Sequence, residues 1–172
     1  MNNVILIGYM GCGKTSLGKK LSYKERIALL DTDKMIEQKQ GMTVAEIFDQ
    51  KGEGAFRMME TECLEEIMGY SERYVISVGG GLPMKEENRE LLKKLGTVIY
   101  LCAKPDTIYE RLKNDTSRPL LRGENPRGKI EDMIKQRGSV YELAADCIID
   151  VDAKGYETII GEILEALKGI RK

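Results

Sequence analysis

Short aliphatic runs alternate along this chain with longer amphipathic segments. Residues 3–8 (NVILIG), 27–31 (IALLD), 74–78 (YVISV), 97–102 (TVIYLC) and 147–151 (CIIDV) are nearly continuous in Val, Ile and Leu. That is the pattern of strands buried on both faces of a parallel sheet, where no polar face alternates with an apolar one. Between them, residues 14–22, 44–51, 55–68 and 106–113 suit helices. Tyr156, Ile159, Ile160, Ile163, Leu164 and Leu167 draw one apolar stripe along a last helix. Alternation of this kind predicts a three-layer α/β domain, and 172 residues fit a single one, spanning 1–172. Residues 114–128 (NDTSRPLLRGENPRG) break the pattern, with two prolines, two glycines, three arginines and no sustained periodicity. A loop this long inside a domain is commonly functional, and its arginines point to a mobile lid.

Composition narrows the chemistry. Hydrophobic residues make up 42% and charged residues 32%, enough to bury a core. The 27 basic and 28 acidic residues nearly cancel, so the basic excess of a nucleic-acid binder is missing. The apolar run at 4–7 is too short for a signal peptide, and no stretch approaches the roughly 20 apolar residues of a membrane span. A cytoplasmic protein with no membrane partner is expected. There is no histidine, and Cys12, Cys63, Cys102 and Cys147 lie far apart. A zinc site or a histidine-based triad is therefore excluded, which leaves Asp, Glu, Lys, Arg, hydroxyls and backbone to act.

The string Gly8-Tyr9-Met10-Gly11-Cys12-Gly13-Lys14-Thr15 matches GxxxxGK[ST] and lies where a buried strand ends and a helix begins. Its glycines let backbone N–H groups turn inward toward phosphate oxygens, and the helix adds its N-terminal partial positive charge. Gly11, Cys12, Gly13, Lys14, Thr15 and Ser16 are the expected nucleotide-binding residues. Lys14 would reach the β- and γ-phosphates, and the Thr15 hydroxyl would ligate Mg²⁺. This is an ATP or GTP site.

Charged residues on faces that periodicity marks as buried point to the other substrate. In 129–141, Ile130, Met133, Ile134, Val140 and Tyr141 share one apolar sector, and Arg137 lies in its middle. In 55–68, Glu60 falls inside the stripe of Phe56, Met59, Cys63, Leu64 and Ile67, with Arg57 on its edge. Arg57 and Glu60 read either as a structural ion pair or as part of an anion site. Two inward arginines beside a phosphate loop favour the anion site, since guanidinium groups fork onto a carboxylate. Asp31-Thr32-Asp33 closes the second strand at the sheet edge where ligands bind. Asp31 there would hold Mg²⁺ through water, and Asp33 would orient an acceptor hydroxyl or accept its proton; Asp33 also reads as a helix N-cap. Gly79, Gly80 and Gly81 end the third strand at the same edge and let backbone approach a ligand. Ser77 before them would meet the metal's water shell.

Taken together, these motifs resemble the shikimate kinase family over nearly the whole chain. The resemblance is carried by the phosphate loop, Asp31-Thr32-Asp33, Gly52-Glu53-Gly54-Ala55-Phe56-Arg57 with Glu60, Gly79–Gly81, Arg118-Pro119-Leu120-Leu121, and Arg137 with Tyr141. It implies a nucleoside-monophosphate-kinase-like P-loop fold, with a five-stranded parallel sheet of order 2-3-1-4-5, substrate-binding helices over about 32–68 and a lid over about 114–128. It implies ATP- and Mg²⁺-dependent phosphorylation of the 3-hydroxyl of shikimate. Asp33 would bind the ring hydroxyls, Arg57 and Arg137 the carboxylate, and Arg118 the nucleotide. Shikimate and ATP are the only partners this implies, and a monomer is expected. This sequence departs from the family in three places: no proline follows Arg137, none follows Asp152, and Cys12 stands in the phosphate loop. A thiol at a helix N-terminus is reactive when its pKa is lowered, so modification of Cys12 would be expected to block ATP. The rival readings are another small-metabolite kinase of this fold, acting on gluconate or a nucleoside monophosphate, and a silent ATP-binding relative. A GTPase switch would show an NKxD motif, which is absent.

Overall fold

The structure, a computed structural model, describes residues 2–113 and 125–170. Strand β1 (Asn3–Ile7) leads through the phosphate loop into helix α1 (Lys14–Glu25), and strand β2 (Ala28–Asp31) into helix α2 (Thr32–Gln40). Helix α3 (Val44–Met68) precedes strand β3 (Tyr74–Ser77), and a 3₁₀ turn at Leu82–Met84 precedes helix α4 (Glu86–Leu95). Strand β4 (Gly96–Cys102), helices α5 (Pro105–Leu112) and α6 (Pro126–Ala144), strand β5 (Cys147–Asp150) and helix α7 (Tyr156–Ile170) follow. The strands form one parallel sheet in the order β2-β3-β1-β4-β5, as the resemblance implied.

The unbroken apolar strands are explained by where their side chains go. Val4 and Leu6 of β1 join a cluster with Leu17 and Leu21 of α1 and Ile159, Ile160, Ile163 and Leu167 of α7. Ile5 and Ile7, the alternate residues, join Ile36, Leu64, Ile67, Leu92, Ile108 and Ile130 from α2 to α6 on the opposite face. Because β1 lies at the centre with Ile5 opposite both Ile76 and Val98, neither face can take a polar residue. The strand order reverses at β1, so the crevice beyond the carboxyl ends of β1, β2 and β3 is where a ligand is expected.

All five strands lie within about a residue of their sequence-predicted bounds, but the helices differ more. Residues 126–128 belong to α6 and not to a loop: Asn125, in the left-handed region at φ 54°, accepts a hydrogen bond from the Gly128 N–H and caps the helix. Pro126 takes the first helical position, where its missing N–H costs nothing. Residues 114–124, with Arg118, lie outside the described residues. Helix α6 runs through Gly138 and Val140 to Ala144 without interruption. Helix α3 contains a non-helical residue at Gly52, φ 84°, so the two separate segments read from sequence meet at a kink. In α7, Tyr156 is 46% exposed and stands outside the buried stripe, with the Lys20 ammonium 5.1 Å over its ring.

Candidate active site

Helix α1 begins without a side-chain cap. Its N-cap is Gly13, at φ 99°, and no acidic residue sits in the first turn. By contrast, Asp31 caps α2, and Thr43 with Glu46 forms a capping box on α3. The first-turn N–H groups of α1 therefore lack the carboxylate or hydroxyl that a structural helix would supply, and their dipole faces a cleft of about 490 Å³. Gly11 at φ 77° and Gly13 at φ 99° adopt the left-handed turn that the loop needs. Lys14 folds back on the loop, and its ammonium donates to the carbonyls of Gly8 (2.8 Å) and Tyr9 (3.1 Å). Met10, Ser16, Arg111, Lys154 and Tyr156 also line this cleft, and Arg111 donates to the Gly11 carbonyl at 3.1 Å. Arg111 was not legible in the sequence, because an arginine in the last turn of a helix reads as an ordinary partner of the helix dipole.

The Thr15 hydroxyl donates to Asp31 Oδ2 at 3.0 Å, while Oδ1 accepts from the Lys34 N–H at 3.3 Å and caps α2. Asp31, not Asp33, is therefore the N-cap, which removes the structural alternative proposed for Asp33. Ser77, 3% exposed, ends β3 opposite Asp31 in the sheet register. Thr15, Asp31 and Ser77 thus lie together at the strand ends. No group of three or more His, Cys, Asp or Glu suited to a metal gathers among the described residues. A hydroxyl and single carboxylates suit Mg²⁺, which keeps several waters and takes further oxygens from phosphate.

The second half of the site surrounds the glycines. A Cβ on Gly79 would lie 2.6 Å from Asp33 Oδ1 and 2.9 Å from Glu60 Oε1, and one on Gly81 would run into the Arg57 guanidinium. Any side chain at either position would displace the charged groups themselves. Arg57 donates to Glu60 Oε2 (2.8 Å) and Glu53 Oε1 (2.9 Å). Its guanidinium also packs over Phe48 and Phe56, with centroids at 6.0 and 5.7 Å. The structural ion pair considered for Arg57 is therefore real, and it holds the guanidinium against the glycine turn. Arg137, half-buried on α6, hydrogen-bonds the Tyr141 hydroxyl, which donates to the Gly80 carbonyl at 2.6 Å.

Glu60 lies at the centre. It is fully buried, and its Oε1 has no hydrogen-bond partner among the described residues. Burial, offset by Arg57 and Arg137 and reinforced by Asp33, raises its carboxyl from 4.5 to about 7. Because the folded-state value is the higher one, Glu60 adds stability at low pH. That contribution is present below about 4.5 and is lost as pH rises through about 7. Relative to Glu60→Gln, the native protein is therefore expected to lose roughly 1–3 kcal/mol of unfolding free energy across that window. Chemical denaturation of both proteins at several pH values checks this; a constant difference would mean that Glu60 stays ionised throughout.

Cys12 differs from expectation. It is 1% exposed, within the core cluster of α1 and α7, and a Gly8 Cβ would touch its Sγ at 2.9 Å. Its backbone belongs to the phosphate loop, but its thiol faces inward, so a reagent reaches it only if the loop opens.

The family model for shikimate kinase matches residues 10–168. A shikimate kinase of Sulfurihydrogenibium sp. (strain YO3AOP1) is 42% identical over 98% of this chain and 99% of its own length. One of Thermodesulfovibrio yellowstonii is 41% identical over 96% of this chain and 94% of its own. The solved shikimate kinase from Acinetobacter baumannii in complex with shikimate superposes with a TM-score of 0.92 at 34% identity, covering 99% of this chain and 95% of that one.

Proposed function

The chain belongs to the shikimate kinase family, and from that premise we propose that it transfers the γ-phosphoryl group of ATP to the 3-hydroxyl of shikimate. The product, shikimate 3-phosphate, leads toward chorismate and the aromatic amino acids. The observation that carries the reading is the convergence of Asp33, Arg57 and Arg137 on Glu60 and the Gly79–Gly81 turn, beside an uncapped phosphate-loop helix.

Phosphoryl transfer asks a protein mainly to position groups and stabilise charge. Lys14 would exchange the carbonyls of Gly8 and Tyr9 for β- and γ-phosphate oxygens, and the N–H groups of Gly11 to Ser16 would cradle the same phosphates. Thr15 directly, and Asp31 and Ser77 through water, would hold Mg²⁺, which when bound neutralises charge between the two phosphates. Arg118, which the family resemblance assigns to the nucleotide, would offset charge on the transferring group. Arg57 and Arg137 fork onto the substrate carboxylate. Gly79, Gly80 and Gly81 bring backbone against the ring, and Asp33 aims the hydroxyl and accepts its proton.

A nucleoside monophosphate as acceptor fits less well. A planar base needs a stacking platform, and the chain has no Trp and two Phe. Those two rings pack against each other, tilted by 47° with centroids 4.9 Å apart, and Phe56 is 3% exposed. No helix among the described residues is long and apolar enough to cross a membrane. We read the chain as a cytoplasmic monomer acting on two small molecules, and its near-zero net charge supplies no basic excess for nucleic acid. Phosphorus NMR of the product tests the site of transfer: a phosphate ester at the 3-hydroxyl supports the reading, and an ester at another hydroxyl contradicts the assignment of Asp33.

A further inference from the structure

The Gly79–Met84 segment carries three glycines, yet side chains from three helices hold its backbone almost residue by residue. Thr32 Oγ1 accepts from the Gly79 N–H at 3.1 Å, and the Tyr141 hydroxyl donates to the Gly80 carbonyl at 2.6 Å. Asn88 Nδ2 donates to the Leu82 carbonyl at 3.0 Å, and Arg89 donates to the carbonyls of Pro83 (2.9 Å) and Met84 (3.0 Å).

Asn88 differs from the others in reach. It is fully buried in the third position of α4, where a charged or exposed residue would be ordinary. Its other amide atom, Oδ1, accepts from the Thr61 hydroxyl at 2.8 Å. Thr61 follows Glu60 directly and stands one turn beyond Arg57, whose carbonyl its oxygen also approaches at 3.2 Å. Lys85 donates to the same hydroxyl at 3.1 Å, and of the two acceptors the single Thr61 proton can reach, Asn88 Oδ1 is the nearer. One buried amide therefore joins the turn after the glycines to the stretch of α3 that bears Arg57 and Glu60. Gly81 and the Arg57 guanidinium meet between these two attachments, so tightly that no Cβ fits between them.

We propose that Asn88, through Thr61, is a positioning residue for the acceptor: it fixes the glycine turn against α3 so that Arg57 keeps its place over Gly81. Asn88 touches neither substrate. The effect on shikimate rests on the function proposed above; the effect on the turn does not.

Thr61→Val removes the proton that Asn88 receives while keeping shape, and Thr61→Ser restores it. Thr61→Val is expected to raise the KM for shikimate about tenfold, with kcat and the KM for ATP within twofold of the native values, and Thr61→Ser to return to them. Amide hydrogen exchange at residues 79–84, measured without substrate, is expected to speed up in Thr61→Val and not in Thr61→Ser. Asn88→Leu is expected to act in the same direction; if it fails to fold, the Thr61 pair carries the test. Equal changes in both KM values, or exchange in Thr61→Val unchanged from native, would overturn the proposal. If the native protein ignores shikimate, the function reading fails instead, and the exchange comparison still decides whether the turn is held in this way.

Discussion

Asp33→Asn is expected to lower kcat by about 100-fold or more, with ATP binding unchanged. The substitution keeps the shape of the side chain but removes its negative charge and its capacity to take a proton, and it replaces one acceptor oxygen with an N–H donor. Two features of the structure make it informative. Asp31, and not Asp33, caps α2, so the cap hydrogen bond of that helix survives the substitution, and only the first-turn charge of Asp33 on the helix dipole is lost. Asp33 also lies against the backbone of Gly79 and near the buried Glu60, beside the glycine turn. Single-turnover and steady-state rates on both proteins check it. A fall of less than threefold would leave Asp33 a spectator and move the proton to water or to the phosphate itself.

Arg137→Ala is expected to raise the KM for shikimate about 10- to 100-fold while the KM for ATP stays nearly constant. A charge-assisted hydrogen bond contributes about 1.5–3 kcal/mol, and each 1.4 kcal/mol is a factor of ten in affinity. Arg137 is half-buried on α6 and joined to Tyr141, so its removal takes away a guanidinium without emptying the core. Tyr141 keeps its bond to the Gly80 carbonyl, which holds the glycine turn in place. Loss of ATP affinity would put Arg137 on the nucleotide side instead.

What could be read from sequence followed the strength of the local physical signal. Strands buried on both faces have no polar positions, so β1 and β4 were visible as unbroken apolar runs. The phosphate loop was equally plain, because its chemistry demands glycines and a lysine at fixed spacing. Arg137 and Glu60 were visible as charges where periodicity puts a core; Glu60 is fully buried, and Arg137 is half-buried on α6 beside Tyr141. Other features depended on partners distant in sequence. Asn125 and Pro126 read as loop, because a cap and a first-position proline look the same as a turn until the helix behind them is seen. The choice between Asp31 and Asp33 as cap turns on two residues of helix start. Helix α4 carries its apolar contacts mainly on Leu92 and Leu95 amid charges, and its most consequential residue is a buried asparagine. No pattern in a single sequence distinguishes a buried Asn88 from an exposed one. Its role becomes visible only when Thr61, 27 residues away in the chain, is found against it.

The most direct test is ADP release from ATP and Mg²⁺, measured with shikimate, with no acceptor, and with quinate, gluconate or CMP in its place. Saturable release that depends on shikimate is expected, with little turnover in its absence. Release driven by gluconate or CMP but not by shikimate would contradict the assignment of Arg57 and Arg137 to this carboxylate. ATP binding without turnover on any acceptor would contradict the enzymatic reading itself.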